Sequence, residues 1–168
     1  MFKFFITLLW CAVFSSAAQA CTCSVSPPTT YSLRSAKDIF IFRLVSAGLS
    51  AEKASDSSDY EIVGKIEVVD RLRGARLKFK EVRFSTNRCC GIRLDVGAYF
   101  VAFFDAKGIN FFGNIGNIIE IGQGDSLETA RSTILAVLEG SKNLEDAFPR
   151  SQLDRIEQSP VLPPCPRK

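Results

Sequence analysis

Between Asp38 and Ile121 the chain is cut into short apolar runs separated by turn residues, and this spacing constrains its fold more than any other feature. Asp38 to Ser46 (DIFIFRLVS) reads as a strand in which Ile39, Phe40, Ile41 and Phe42 are nearly continuous. Tyr60 to Val69 alternates, so that Tyr60, Ile62, Gly64, Ile66 and Val68 share one face. Gly64 in mid-strand points to a bulge or a tight coil, as where a sheet closes on itself. Phe79 to Ser85 reads as a third strand with Phe79, Val82 and Phe84 as its apolar positions. Gly97 to Asp105 (GAYFVAFFD) reads as a central strand, and Ile109 to Phe112 and Ile118 to Ile121 continue the sheet. Five or so short strands joined by turns predict a mainly β domain that closes into a small barrel.

Helix enters late. Asp125 is a good N-cap, Glu128 is its capping-box partner, and Leu127, Ala130, Ile134, Leu135 and Leu138 form one apolar face. Gly140 is a suitable stop. A second helix is expected over Gln152 to Gln158, ahead of a proline-rich end, Ser159 to Lys168. Pro27-Pro28 predicts an extended, irregular Ser24 to Ser32. Ala47 to Ser58 and Thr86 to Val96 read as loops, and Gly74 marks a turn.

Residues 1–20 read as an export signal. Lys3 supplies the positive start, Phe4 to Phe14 the apolar stretch, and Ala18-Gln19-Ala20 a small-x-small cleavage site. Cleavage after Ala20 leaves 148 of the 168 residues, enough for one domain, with 20 basic against 18 acidic side chains. That near balance does not itself imply nucleic acid or an acidic membrane as partner. The apolar stretch is too short for an anchor, so no transmembrane segment is expected after cleavage. The expected location is secreted or periplasmic. A lipid anchor on Cys21 is the alternative, although Ala18 and Gln19 match an acylation box poorly.

The mature chain would begin Cys21-Thr22-Cys23, with Cys89, Cys90 and Cys165 further on. Export favours disulfides, and five mature cysteines leave one over. A free α-amine and the carbonyl of the same residue can chelate a metal in a five-membered ring, so the terminus can itself be a functional group. The sequence contains no histidine, which removes His-based triads, His general bases and His zinc ligands. It shows no paired-carboxylate spacing, no activating base for a cysteine nucleophile and no P-loop lysine. An enzyme is therefore not expected, and no cofactor is implied.

Together these residues resemble the tissue inhibitors of metalloproteinases and, more broadly, the netrin-like module. Cys21-Thr22-Cys23 opens the mature chain before a Pro-containing segment. Asp38 to Ser46 pairs an acidic start with an apolar run and Arg43. Tyr60-Glu61-Ile62 with Lys65, then Arg73-Gly74, resemble the second strand. Cys90-Gly91 precedes Gly97-Ala98-Tyr99-Phe100-Val101, which resembles the fourth. The likeness covers roughly residues 21–122. It implies a five-stranded OB-type closed barrel with one or two C-terminal helices, in a single-domain version of bacterial type. Residues 21–140 would form the inhibitor domain and 141–168 a C-terminal helix and tail.

The same resemblance implies a function. Cys21 would bind the catalytic zinc of a target zinc metalloproteinase through amine and carbonyl, at the position such sites keep open. This is a target's zinc, not a resident metal. Thr22 would enter the pocket for the substrate side chain just after the scissile bond, and Cys23 would help hold the ridge. A Cys21–Cys90 disulfide would close a loop of about 70 residues, worth roughly 4 kcal/mol in the chain-entropy model. The chain departs from the family in lacking cysteines within Leu33 to Lys37 and Phe111 to Ile118. Either Cys89 or Cys165 is then left to pair with Cys23.

A second feature is basic. Arg71, Arg73, Arg76, Lys78, Lys80 and Arg83 cluster in sequence around one strand–turn–strand corner. In this type of barrel such loops bind oligonucleotides or oligosaccharides. Export argues against nucleic acid and leaves an anionic glycan as the partner for a non-inhibitory binding module.

Overall fold

The computed structural model describes residues 25–50, 61–74, 79–85, 91–105, 111–122 and 127–148. In chain order these form α1 (Thr30–Ser35), β1 (Asp38–Leu49), β2 (Glu61–Arg73), β3 (Glu81–Ser85), β4 (Tyr99–Phe104), β5 (Phe111–Phe112), β6 (Ile118–Gly122), α2 (Leu127–Glu139) and α3 (Leu144–Ala147). The strands make one six-stranded sheet in the order β5-β3-β2-β1-β4-β6. All pairings are antiparallel except β3 with β5.

The architecture is mainly β with a few helices, as the strand spacing predicts, but the closed five-stranded barrel is corrected. The sheet is a curled, open half-barrel of six strands whose edges, β5 and β6, do not pair with each other. Residues 113–117 carry the chain across that gap. Strand ends otherwise agree to within a few residues, with β1 and β2 running three and four residues past their expected ends.

The curl comes from β1 and β2. Their register slips at Ile39/Phe40, Ile41/Phe42 and Leu44/Ser46, and each irregularity adds local twist. Val45 is the residue left over opposite Ile66 and Lys65. Nearby, Gly64 packs so closely that a Cβ would lie 2.6 Å from Leu44 Cδ1 and 3.0 Å from Val82 Cγ1. The mid-strand glycine thus marks a close approach inside the coil.

The continuous apolar runs are explained by burial on both faces. Phe40, Phe42 and Leu44 of β1 and Phe100 and Ala102 of β4 point into the concave core. Ile39 and Ile41 with Val101 and Phe103 point to the opposite face, beneath the helices. Cross-strand partners agree: Phe42 faces Phe100, and Ile41 faces Val101. A one-residue slip would exchange the two sets. Over Ile62–Val68 only one face of β2 is covered, so Ile66 is buried, Ile62 and Val68 pack part-buried beside it, and Lys65 and Glu67 face out, while Leu72 near its end packs in the helix-side core. Tyr60 lies outside the described residues. Phe79, Val82 and Phe84 complete the concave core. Phe40 is its hub, with ring centroids of Phe42, Phe79, Phe104 and Phe111 all within 5.8 Å.

Helix α2 buries Ala130, Ile134 and Val137 against the sheet, with Leu127 and Leu138 part-buried beside them. The expected stripe is therefore rotated: Val137 replaces Leu135. Gly140 ends the helix at φ +91°, and Ser141 N–H donates to the Ala136 carbonyl at 2.9 Å. The Asp125 cap, the Gln152 to Gln158 helix and the proline-rich end lie outside the described residues. Leu144 and Phe148 of the α3 region pack in the same helix-side core.

Helix α1 corrects the reading of Ser24 to Ser32 as wholly extended. Thr29 caps it reciprocally: Ser32 N–H donates to Thr29 Oγ1 (3.1 Å), and Thr29 N–H donates to Ser32 Oγ (2.9 Å). Among the described residues, no helix is long and apolar enough to cross a membrane.

Candidate functional site

Cys21, Thr22, Cys23, Cys89, Cys90 and Cys165 all lie outside the described residues. Their nearest described neighbours do not. Val25, two residues after Cys23, is half-buried and packs against the concave core. Gly91 and Ile92, directly after Cys90, are buried in that core, and Ile92 N–H donates to the Ser85 carbonyl at 2.9 Å.

Both neighbours meet the same piece of chain, the 113–117 connector between β5 and β6. A Cβ on Gly116 would lie 2.7 Å from Val25 Cγ1 and 2.9 Å from the Ser26 carbonyl oxygen. A Cβ on Gly113 would lie 3.3 Å from Ile92 Cδ1, 3.2 Å from Val82 Cγ2 and 2.5 Å from Ile118 Cδ1. A side chain at Gly116 would push the Val25–Ser26 segment away, whereas one at Gly113 would clash first with Ile118 and only crowd Ile92.

The connector is braced from within. Asn114 Oδ1 accepts from Gly116 N–H (2.8 Å), and Asn117 Oδ1 accepts from Asn114 N–H (2.8 Å). Asn117 Nδ2 donates to the Phe112 carbonyl at 3.0 Å. The backbone ties it to both sheet halves: Gly113 N–H donates to Arg83 (2.7 Å), and Phe103 N–H donates to Asn117 (3.0 Å). Ile115 is buried in the concave core beneath. Sequence reasoning passed over these residues. Their signal was the repeated Gly-Asn of FFGNIGNI, a turn-forming pair whose side-chain amides can bond nearby backbone.

At its other end the segment is held by α1. Thr30 N–H donates to Glu145 Oε1 (3.1 Å), and the Thr30 hydroxyl donates to Glu145 Oε2 (2.5 Å) while accepting from Leu144 N–H (2.7 Å). The Thr30 hydroxyl, with backbone N–H donors, holds the Glu145 carboxyl below its ordinary range. Pro28 between the two anchors is buried, whereas Ser26 and Pro27 are exposed.

The described basic residues do not converge. Arg83 faces Val63, ten residues along β2 from Arg73, a run of roughly 33 Å for an extended strand. Arg83 lies 3.5 Å from Glu61. Arg73 is part-buried and donates to the Arg34 and Ala36 carbonyls at 2.6 and 3.1 Å, at the C-terminal end of α1. Lys80 is exposed beside Ile66, whose N–H donates to its carbonyl, Arg71 is exposed five residues further along β2, and Arg76 and Lys78 lie outside the described residues. Among the described residues, no three carboxylate or thiol groups come together as a metal site.

No protein-family model matches this chain, and no curated protein does.

Proposed function

We propose that the mature chain is an exported, single-domain relative of the tissue inhibitors of metalloproteinases. In this reading the amine and carbonyl of Cys21 chelate the catalytic zinc of a target protease, with Thr22 in the adjoining substrate pocket. One observation supports it most. The chain just after Cys23 and the chain just after Cys90 pack on the same short connector, at Gly116 and Gly113. Four residues lead from Cys21 to Val25 and two from Cys90 to Ile92, a combined reach of roughly 20 Å. Those spans are long enough for the Cys21–Cys90 bridge that the resemblance implies, and such a bridge would hold the amine and carbonyl of Cys21 in fixed relation. An open half-barrel suffices, because both seats lie on the connector and need no closing ladder.

Such a terminus depends on its charge state. An ordinary α-amine titrates at about 7.7–8.0, so freeing it near neutral pH costs only about 1 kcal/mol. Inhibition should weaken about tenfold for each pH unit below that range, after correction for the protease's own profile. The decisive test adds one residue before Cys21 or acetylates its amine. Inhibition is expected to vanish while the circular dichroism spectrum and unfolding midpoint stay unchanged. Equal inhibition by the extended protein refutes chelation.

A further inference from the structure

We infer that Gly116 is a positioning residue: its missing side chain is the seat that fixes Val25 and Ser26 and so sets the direction from which the mature N-terminus leaves the domain. The inference rests on the inhibitor reading for its consequence, but not for its geometry. Three observations carry it.

First, the seat is filled. Val25 Cγ1 and the Ser26 carbonyl occupy the space a Cβ would take, at 2.7 and 2.9 Å. Real Cβ atoms do not sit that close to such neighbours, so one partner must move. Second, the connector cannot give way easily. It is braced by Asn114 and Asn117 and bonded to Arg83 on one side and Phe103 on the other. Third, the far end of the segment is fixed, because Thr30 is gripped by Glu145 and Leu144 and Pro28 is buried between. A side chain at Gly116 therefore displaces the segment at Val25, and the displacement passes toward the chain start rather than into α1.

A terminus that must meet a metal with two atoms at once tolerates little misdirection, since errors of about 1 Å at a reacting centre cost on the order of a hundredfold. Gly116 touches neither target nor zinc in this account. It acts through Val25.

The experiment compares Gly116→Ala with Gly48→Ala in the full mature chain. Gly48 has open space around its missing Cβ and serves as the matched control. Methyl NMR should show a contact from Val25 to Gly116 in the wild type. In Gly116→Ala the Val25 methyl signals should shift and lose that contact, while those of Ile39, Ile41 and Ile119 stay in place. Inhibition of a zinc metalloproteinase should weaken tenfold or more, and Gly48→Ala should leave it unchanged.

Unmoved Val25 methyls in Gly116→Ala overturn the seat, whatever happens to inhibition. Displaced methyls with full inhibition overturn the claim that the seat aims the terminus. Displaced methyls in a protein whose wild type inhibits no metalloproteinase support the seat and refute the inhibitor reading. If Gly116→Ala does not fold, Val25→Ala removes the same contact without a clash. It should weaken inhibition several-fold, and unchanged inhibition there overturns the proposal.

Discussion

Two glycines on facing strands offer the sharpest test of the packing. Gly64 of β2 faces Ala47, and its neighbour Val63 faces Gly48 of β1. Neither glycine has positive φ, so alanine fits either backbone. Replacing glycine by alanine restricts the unfolded chain and should stabilise by roughly 0.4–1 kcal/mol where there is room. Gly48 has room, with nothing within 4 Å of a new Cβ. Gly64 does not: its Cβ would meet Leu44 Cδ1 at 2.6 Å, Val82 Cγ1 at 3.0 Å and Phe84 Cε1 at 3.4 Å. All three neighbours are fully or almost fully buried, and overpacking in such a core costs about 1–3 kcal/mol. Gly64→Ala should therefore destabilise by about 1–2 kcal/mol net, and Gly48→Ala should be neutral or stabilising. In urea unfolding followed by circular dichroism, the two midpoints should separate by about 1 M. Leu44→Ala should then cost less in the Gly64→Ala background than alone, a coupling of at least about 0.5 kcal/mol. Equal midpoints for the two glycine variants, or strict additivity with Leu44→Ala, would refute the close approach as the reason for Gly64.

Two further predictions concern the helix side. Glu145 has its pKa lowered in the fold by the bonds from Thr30, so the stability it contributes is present above its ordinary value of 4.5 and is lost as pH falls through the lower folded value; thermal unfolding of wild type and Glu145→Gln should differ above about pH 4.5 and converge in more acid solution. Arg73→Ala should destabilise by about 1–3 kcal/mol in chemical unfolding, because it removes the Nη1 donor shared by the part-buried Arg34 and Ala36 carbonyls, whereas a purely glycan-binding arginine would leave the midpoint unmoved.

The strands were legible because their signals are local. Ile39 to Phe42 is apolar at every position since β1 is buried on both faces, and Ile62 to Val68 alternates since β2 is covered on one. Gly74 and Gly140, both at positive φ, were also legible as chain punctuation. Helix α1 was not, because its six residues, TYSLRS, bury only Leu33 and carry no apolar period. Its signal lay in Thr29 and Ser32, a pair with the spacing of a capping box but without the usual acidic partner. The open sheet was hidden for a different reason. Whether the two edge strands pair is a matter of contacts between segments far apart in sequence, which strand-by-strand periodicity does not carry. The basic corner looked compact in sequence, but pairing sends Arg73 to the helices and Arg83 to Glu61. For the candidate site, the sequence named the cysteines and the structure supplied the surface on which their neighbours rest.

The arginines on the helix side form a chain of dependence. Arg73 of β2 closes off the carbonyls at the end of α1, and Arg34 of α1 in turn donates to Val137 and Lys142 at the end of α2, at 2.8 and 3.0 Å. The ends of α1 and α2 are thus both held by arginines from other elements, α1 by the sheet and α2 by α1. Helices of six and four residues have little stability of their own and depend on such outside contacts, α1 on Arg73 and α3 on the Thr30 hydroxyl that accepts from Leu144 N–H. The helix side is also fastened to the strands that carry the aromatic interior, because Ile39, Ile41, Val101 and Phe103 alternate with Phe40, Phe42, Phe100 and Ala102 along β1 and β4, so loosening the helices exposes the back of the same two strands.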